Sequence, residues 1–132
     1  MEKVNTNFTI LIIDDDEDFR LNQKLQLEAA GYKVIEANGQ TQGRELIEAG
    51  NFDLAVIDLM MEEEDTGFTL CYELKKAMPE KPVIMVTGVA HETGIDFDVE
   101  TREERSWIKA DVLLDKPVRF EQLRGEIEKL LA

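Results

Sequence analysis

Four short apolar runs in this chain end in residues able to do chemistry together. Asp14, Asp15, Asp16, Glu17 and Asp18 follow the first run, Asp58 the third, Thr87 and Gly88 the fourth, and Asp115, Lys116 and Pro117 the fifth. Carboxylates gathered at one place raise each other's pKa unless positive charge sits among them. A hard dication is the natural remedy. Oxygens from Asp15 and Asp58, with a backbone carbonyl and waters, suit octahedral Mg²⁺ (or Mn²⁺), which is usually held by one or two carboxylates together with a phosphate. Lys116 adds a second positive charge. With both charges present, a carboxylate oxygen of Asp58 can attack phosphorus. Thr87 can donate its hydroxyl to a phosphoryl oxygen, and Gly88 leaves that oxygen room. The chemistry implied is phosphoryl transfer.

Such residues meet only if the chain carries them to one edge. Five apolar runs rich in branched residues, Phe8 to Ile13, Val34 to Ala37, Leu54 to Ile57, Val83 to Val86 and Val112 to Leu114, read as buried strands. Helical segments separate them: Glu17 to Ala30, Gln40 to Ala49, Phe68 to Met78 and Arg119 to Leu131. Near-continuous apolar strands alternating with helices predict a doubly wound parallel sheet covered on both faces. Ligands of such sheets collect outside the carboxyl ends of the strands, where every candidate above falls. Gly31, Gly50 and Pro79 stand where the first three helices should stop. The last helix spaces Phe120, Leu123, Ile127 and Leu130 as a core stripe. In the first, Phe19, Leu27 and Ala30 share a face, while Leu21 and Leu25 point roughly 160–200° away from Phe19 at about 100° per residue and call for a cover. From Gly88 to Lys109 the apolar residues are scattered, which predicts a long loop with a short helix at most over Val99 to Ile108.

A length of 132 residues, with 43% hydrophobic and 33% charged, fits one globular domain over 1–132. The net charge of −14 argues against direct binding of nucleic acid or anionic lipid. Cys71, the only cysteine, lies in an apolar helical stripe and reads as core. No run is long enough for a membrane span and the N-terminus lacks a signal-peptide layout, so a cytoplasmic location is expected.

Simpler roles compete at several positions. Asp16, Glu17 and Asp18 suit the start of a helix through its dipole and need no catalytic task. His91 has no second histidine or cysteine at ligand spacing, and Glu62 to Asp65 reads as a solvated loop. Asp14 and Asp15 as caps, Thr87 as a plain strand residue and Lys116 as a surface lysine are each reasonable singly. Their joint placement at strand ends favours a site.

The blocks ILIIDDDEDFR, FDLAVIDLMM, VIMVTG and LLDKPV resemble, in order, the four signature blocks of response-regulator receiver domains, over nearly the whole chain. The resemblance implies a flavodoxin-like sheet of order 2-1-3-4-5. It implies Asp58 as phosphoacceptor, Asp14 and Asp15 as the acidic pair, and the main-chain carbonyl of Met60 as a further metal ligand. Thr87 and Lys116 match the family's switch hydroxyl and lysine. A histidine kinase or histidine phosphotransfer protein is the implied donor, a downstream protein the implied target, and a cis bond the implied link between Lys116 and Pro117. No output domain is expected within the chain.

This sequence departs from the family pattern in places. Glu62 stands where proline is usual, and the Glu63 to Thr66 stretch is one residue longer. Leu113 replaces a common switch aromatic, and the span from Thr87 to Lys116 is long enough to leave the helix between the fourth and fifth strands short or irregular. The usual dimer face on that helix is therefore not assumed, and Leu21 with Leu25 offers another contact surface, for a homodimer or for the chain terminus. Two other functions fit parts of the pattern. A flavin electron carrier of this topology needs a phosphate-cradling loop, but five acids occupy its place. An aspartate-dependent phosphohydrolase would use Asp14-x-Asp16, Thr87 and Lys116, but the short chain has no cap domain.

Neither Met60 nor Val89, two residues beyond Asp58 and Thr87, can hold a water in line with an acyl phosphate. Replacing both with polar amide residues is expected to speed the decay of phosphorylated protein by about 10-fold or more, followed by intact mass over time.

Overall fold

A computed structural model describes residues 8–58, 66–87, 110–116 and 118–131. Within these residues the chain alternates β1 (Thr9–Ile13), α1 (Glu17–Ala29), β2 (Lys33–Ala37), α2 (Gln40–Ala49), β3 (Leu54–Asp58), α3 (Thr66–Ala77), β4 (Val83–Thr87), β5 (Val112–Asp115) and α4 (Phe120–Leu131). The strands form one parallel sheet in the order β2-β1-β3-β4-β5.

Successive strand residues point to opposite faces, and in the central strands β1, β3 and β4 both faces are buried, so those strands read as nearly unbroken apolar runs. Leu11, Ile13, Ala55, Ile57, Val83 and Met85 pack with Ile47 of α2 and Leu70, Cys71 and Leu74 of α3. Ile10, Ile12, Leu54, Val56, Ile84 and Val86 pack on the other side with Leu27 of α1 and Leu123 and Ile127 of α4. Burial pushes the Cys71 thiol up to about 12, which keeps it protonated and inert as expected of a core residue.

Helix ends follow the local chemistry. Asp16 caps α1 by accepting from the Phe19 N–H, and Gly50 ends α2 in the left-handed region at φ 70°. Gly43 lets α2 approach the sheet: a Cβ there would lie 3.2 Å from Ile13 and 3.3 Å from Leu70. That close approach seats α2 on the last residue of β1, directly before Asp14.

Some boundaries differ from expectation. The strands β3, β4 and β5 each run one residue further, so Asp58, Thr87 and Asp115 are ladder residues rather than loop residues. Helix α3 starts at Thr66, two residues early, because Thr66 and Gly67 are buried against the body. Leu21 and Leu25 are 52% and 58% exposed, so among the described residues nothing covers them. Leu113 is a partly buried aliphatic packed on the α2–α3 side of the sheet. The expectations for Met60, Glu62 to Asp65, Gly88, Val89, His91, the helix within 88–109 and the Lys116–Pro117 bond lie outside the described residues.

One buried polar side chain lies in the core face of α1. Gln23, between Phe19 and Leu27, is 2% exposed, and its Oε1 meets no hydrogen-bond donor among the described residues. A buried acceptor without a donor costs about 1–3 kcal/mol. Gln23→Leu, which keeps the volume, is expected to raise unfolding stability by about 1 kcal/mol, seen as a higher urea midpoint with an unchanged slope.

Candidate functional site

Strand register brings the site together. Ile13 of β1 pairs with Ile57 of β3, so Asp14 and Asp58 follow side by side. Asp58 pairs with Val86 of β4, which sets Thr87 one step beyond on the neighbouring strand, and Thr87 in turn pairs with Asp115. Lys116 follows β5, its backbone N–H donating to the Thr87 carbonyl at 2.8 Å.

The side chains converge as the sequence leads one to expect. Carboxylate oxygens of Asp14, Asp15 and Asp58 lie within 4.8 Å of one another. Asp14 and Asp58 are only 1% and 5% exposed, whereas Asp15 faces solvent. The Lys116 ammonium sits 3.4 Å from Asp14 Oδ2 and 3.5 Å from Asp58 Oδ2. Thr87 is fully buried beside them. The fourth proposed ligand, the Met60 carbonyl, is outside the described residues.

Burial raises the Asp14 carboxyl above its ordinary value, although the Asp16 N–H, the Lys116 charge and Asp58 pull it down. The Asp16 N–H donates to Asp14 Oδ1 at 2.8 Å. Burial by itself lowers Lys116, yet the Asp14 and Asp58 carboxylates outweigh it and hold the ammonium above its ordinary value. One firm positive charge thus faces three carboxylates, and the surplus is negative.

The donor set fits a small hard cation. Oxygens at about 2.0–2.1 Å from such an ion lie no more than roughly 4.2 Å apart across an octahedron, so a slight contraction of the three carboxylates encloses it. Two of those acids are already desolvated, so the site is largely formed beforehand.

Sequence reasoning missed two residues of α1. Phe19 was read as core alone, but the Lys116 ammonium also lies 5.0 Å from its ring centroid, a distance at which the ring face attracts a cation. Arg20 donates from Nη1 to the Asp14 carbonyl at 2.6 Å. The available signal was their position in the first turn of the helix that follows the acid run, where side chains can reach back to the strand end.

Likeness to known proteins covers the same residues. The family model for the response regulator receiver domain matches residues 10–128. The transcriptional regulatory protein ZraR of Escherichia coli (strain K12) is 33% identical over 126 residues, covering 96% of this chain and 27% of that protein. The chain therefore spans about a quarter of that relative's length. A CheY-like receiver domain protein from Methanospirillum hungatei JF-1 superposes with a TM-score of 0.77 at 31% identity, over 95% of this chain and 94% of that one. Response regulator TrrA from Thermotoga maritima, solved in complex with Mg(2+)-BeF, gives 0.76 at 25% identity, over 93% and 98%.

The raised Asp14 pKa ties the site to stability. A carboxyl that holds its proton more tightly folded than unfolded contributes stability below about pH 3.9, its unfolded value, and loses it as pH rises through the folded value. Raising the pH through that folded value therefore places charge on a desolvated Asp14 beside Asp58 and Asp15, with the Lys116 ammonium at its carboxylate. Asp14→Asn is expected to be more stable than wild type at pH 7 in EDTA by about 1 kcal/mol. Urea unfolding should show that advantage shrinking as pH is lowered towards 4. Saturating Mg²⁺ should shrink it too, because only the wild type gains from binding.

Proposed function

Because the chain belongs to the response regulator receiver domain family of two-component signalling, we propose that Asp58 accepts a phosphoryl group with the help of Mg²⁺ (or Mn²⁺), Thr87 and Lys116. The observation that carries this reading is the meeting of the Asp14, Asp15 and Asp58 carboxylates within 4.8 Å of one another, with a single lysine between two of them.

Asp14, Asp15 and Asp58, with the Met60 main-chain carbonyl, would hold the cation. When bound, that cation neutralises the clustered acids and the charge on the phosphoryl oxygens. The Mg(2+)-BeF complex of the Thermotoga maritima relative is in keeping with a dication beside a phosphoryl-like group. An Asp58 carboxylate oxygen attacks phosphorus. The new O–P bond forms as the bond to the donor's leaving atom breaks, and the leaving atom keeps the electron pair. That atom is a histidine nitrogen when the donor is a histidine kinase or histidine phosphotransfer protein. Lys116 neutralises the transferred group, and the Thr87 hydroxyl donates to one of its oxygens.

The domain is a phosphoacceptor that assists its own phosphorylation and loses the group slowly, rather than an enzyme that turns over a substrate. Its output is a changed surface read by a downstream protein. The net charge of −14 favours a protein partner over direct contact with nucleic acid or an anionic membrane. Among the described residues no helix is long and apolar enough to cross a membrane, and a cytoplasmic setting goes with the proposed donors.

The test is incubation with acetyl phosphate and Mg²⁺ followed by intact mass. The wild type is expected to gain one phosphoryl group and Asp58→Asn none. Omitting the metal should slow uptake by about 100-fold or more, since charge neutralisation by a metal is worth several kcal/mol. Uptake by Asp58→Asn equal to wild type would overturn the assignment, and donor consumption far beyond one equivalent per chain would favour a phosphohydrolase.

A further inference from the structure

We propose that Arg20 is a positioning residue for the cation site, acting through the backbone that carries Asp14 and Asp15. The proposal rests on the reading of the site given above.

Asp14 is held to the edge strand β2 from both sides of its residue. Its N–H donates to the Ala37 carbonyl at 3.2 Å. Its own carbonyl accepts from Arg20 Nη1 at 2.6 Å. The same guanidinium reaches Glu36, the residue before Ala37, with Nε 3.5 Å from Oε1. Lys24, one turn along α1, sits 3.4 Å from the other Glu36 oxygen. Arg20 thus bridges a peptide group of the site and a carboxylate of β2, using the planar fork that a lysine lacks. The Arg20 side chain is only 14% exposed, less than that of its partner Glu36 at 31%.

The consequence falls on Asp15. The Asp14 carbonyl belongs to the same planar peptide unit as the Asp15 N–H, so fixing that oxygen fixes the plane from which Asp15 projects. Asp15 is exposed, and its carboxylate has no hydrogen-bond donor among the described residues. Its direction therefore depends on the backbone beneath it. Charge does not explain Arg20 here, because a cation close to the cluster repels a dication. Its hydrogen bond does.

That opposition of sign supplies the test. Mg²⁺ is titrated by calorimetry into the full chain and into Arg20→Met and Arg20→Lys, and each protein is melted in EDTA to check its fold. Arg20→Met keeps the apolar stem and removes the charge. Coulomb's law alone would tighten its binding of Mg²⁺, whereas lost positioning weakens it, by about 10-fold or more if the effect matches that of other outer groups that orient metal ligands. Arg20→Lys keeps the charge without the fork and is expected to lie between wild type and Arg20→Met. Equal or tighter binding by Arg20→Met, with Arg20→Lys matching wild type, overturns the proposal. If Arg20→Met does not melt cooperatively, Arg20→Lys decides: weaker binding supports the proposal and unchanged binding overturns it. If wild type itself binds no Mg²⁺ and takes no phosphoryl group on Asp58, the reading of the site falls rather than the role of Arg20 alone.

Discussion

The structure turns on a shortage of positive charge at one end of a sheet. Asp14 and Asp58 are desolvated beside each other, with Asp15 at the rim and the Lys116 ammonium reaching two of the three. Two buried like charges in contact are costly, and a lone lysine offsets only part of that cost. A protein selected for stability alone would have replaced one acid with an amide. Keeping all three leaves the fold with an excess of clustered acid, which on the proposed reading a dication and a phosphoryl group answer together.

Holding that demand in place requires a stiff frame. The central strands β1, β3 and β4 that contribute to the site are buried on both faces, and a fully buried Ile, Leu or Val side chain contributes about 1.5–3 kcal/mol. A few such residues, such as Ile13, Ile57 and Val86 directly before or beside the acids, are enough to outweigh the local strain. Parallel register then does the positioning: because Ile13 pairs with Ile57, the residues that follow have little freedom to separate. Gly43 contributes by its lack of a side chain, since it lets α2 press on the end of β1.

Much of this was legible in the sequence because it follows from simple repetition. Apolar runs alternating with helical segments give the sheet, and the acid, hydroxyl and lysine that follow those runs give the site. Cys71 was readable as core for the same reason. Strand ends were less legible: Asp58, Thr87 and Asp115 are polar, and a reading based on hydrophobicity stops before them although their backbones continue the ladder. Arg20 and Phe19 were missed because their roles depend on three-dimensional reach. A residue at the start of a helix reads as an amphipathic surface position until the strand end it reaches is known. Gln23 was invisible for a related reason, since glutamine on a helix normally finds water.

Comparison of the two ends of the sheet shows why composition by itself could not locate the site. At the opposite edge, where strands begin, there are also acids and lysines, and several of these have partners of their own. Asp53 accepts the Thr9 N–H. Asp111 accepts the Val83 N–H and pairs with Lys75 at 2.7 Å. Lys75 also donates to the Lys81 carbonyl, and Lys81 donates to the Phe52 carbonyl. Those bonds join α3 to three strand starts. The carboxyl edge uses the same residue types with a different balance: among the described residues three carboxylates cluster and one ammonium reaches two of them, an excess of acid that suits a divalent cation. The proposed function of this domain is therefore marked less by which ionisable residues are present than by the end of the sheet at which carboxylates gather around one ammonium.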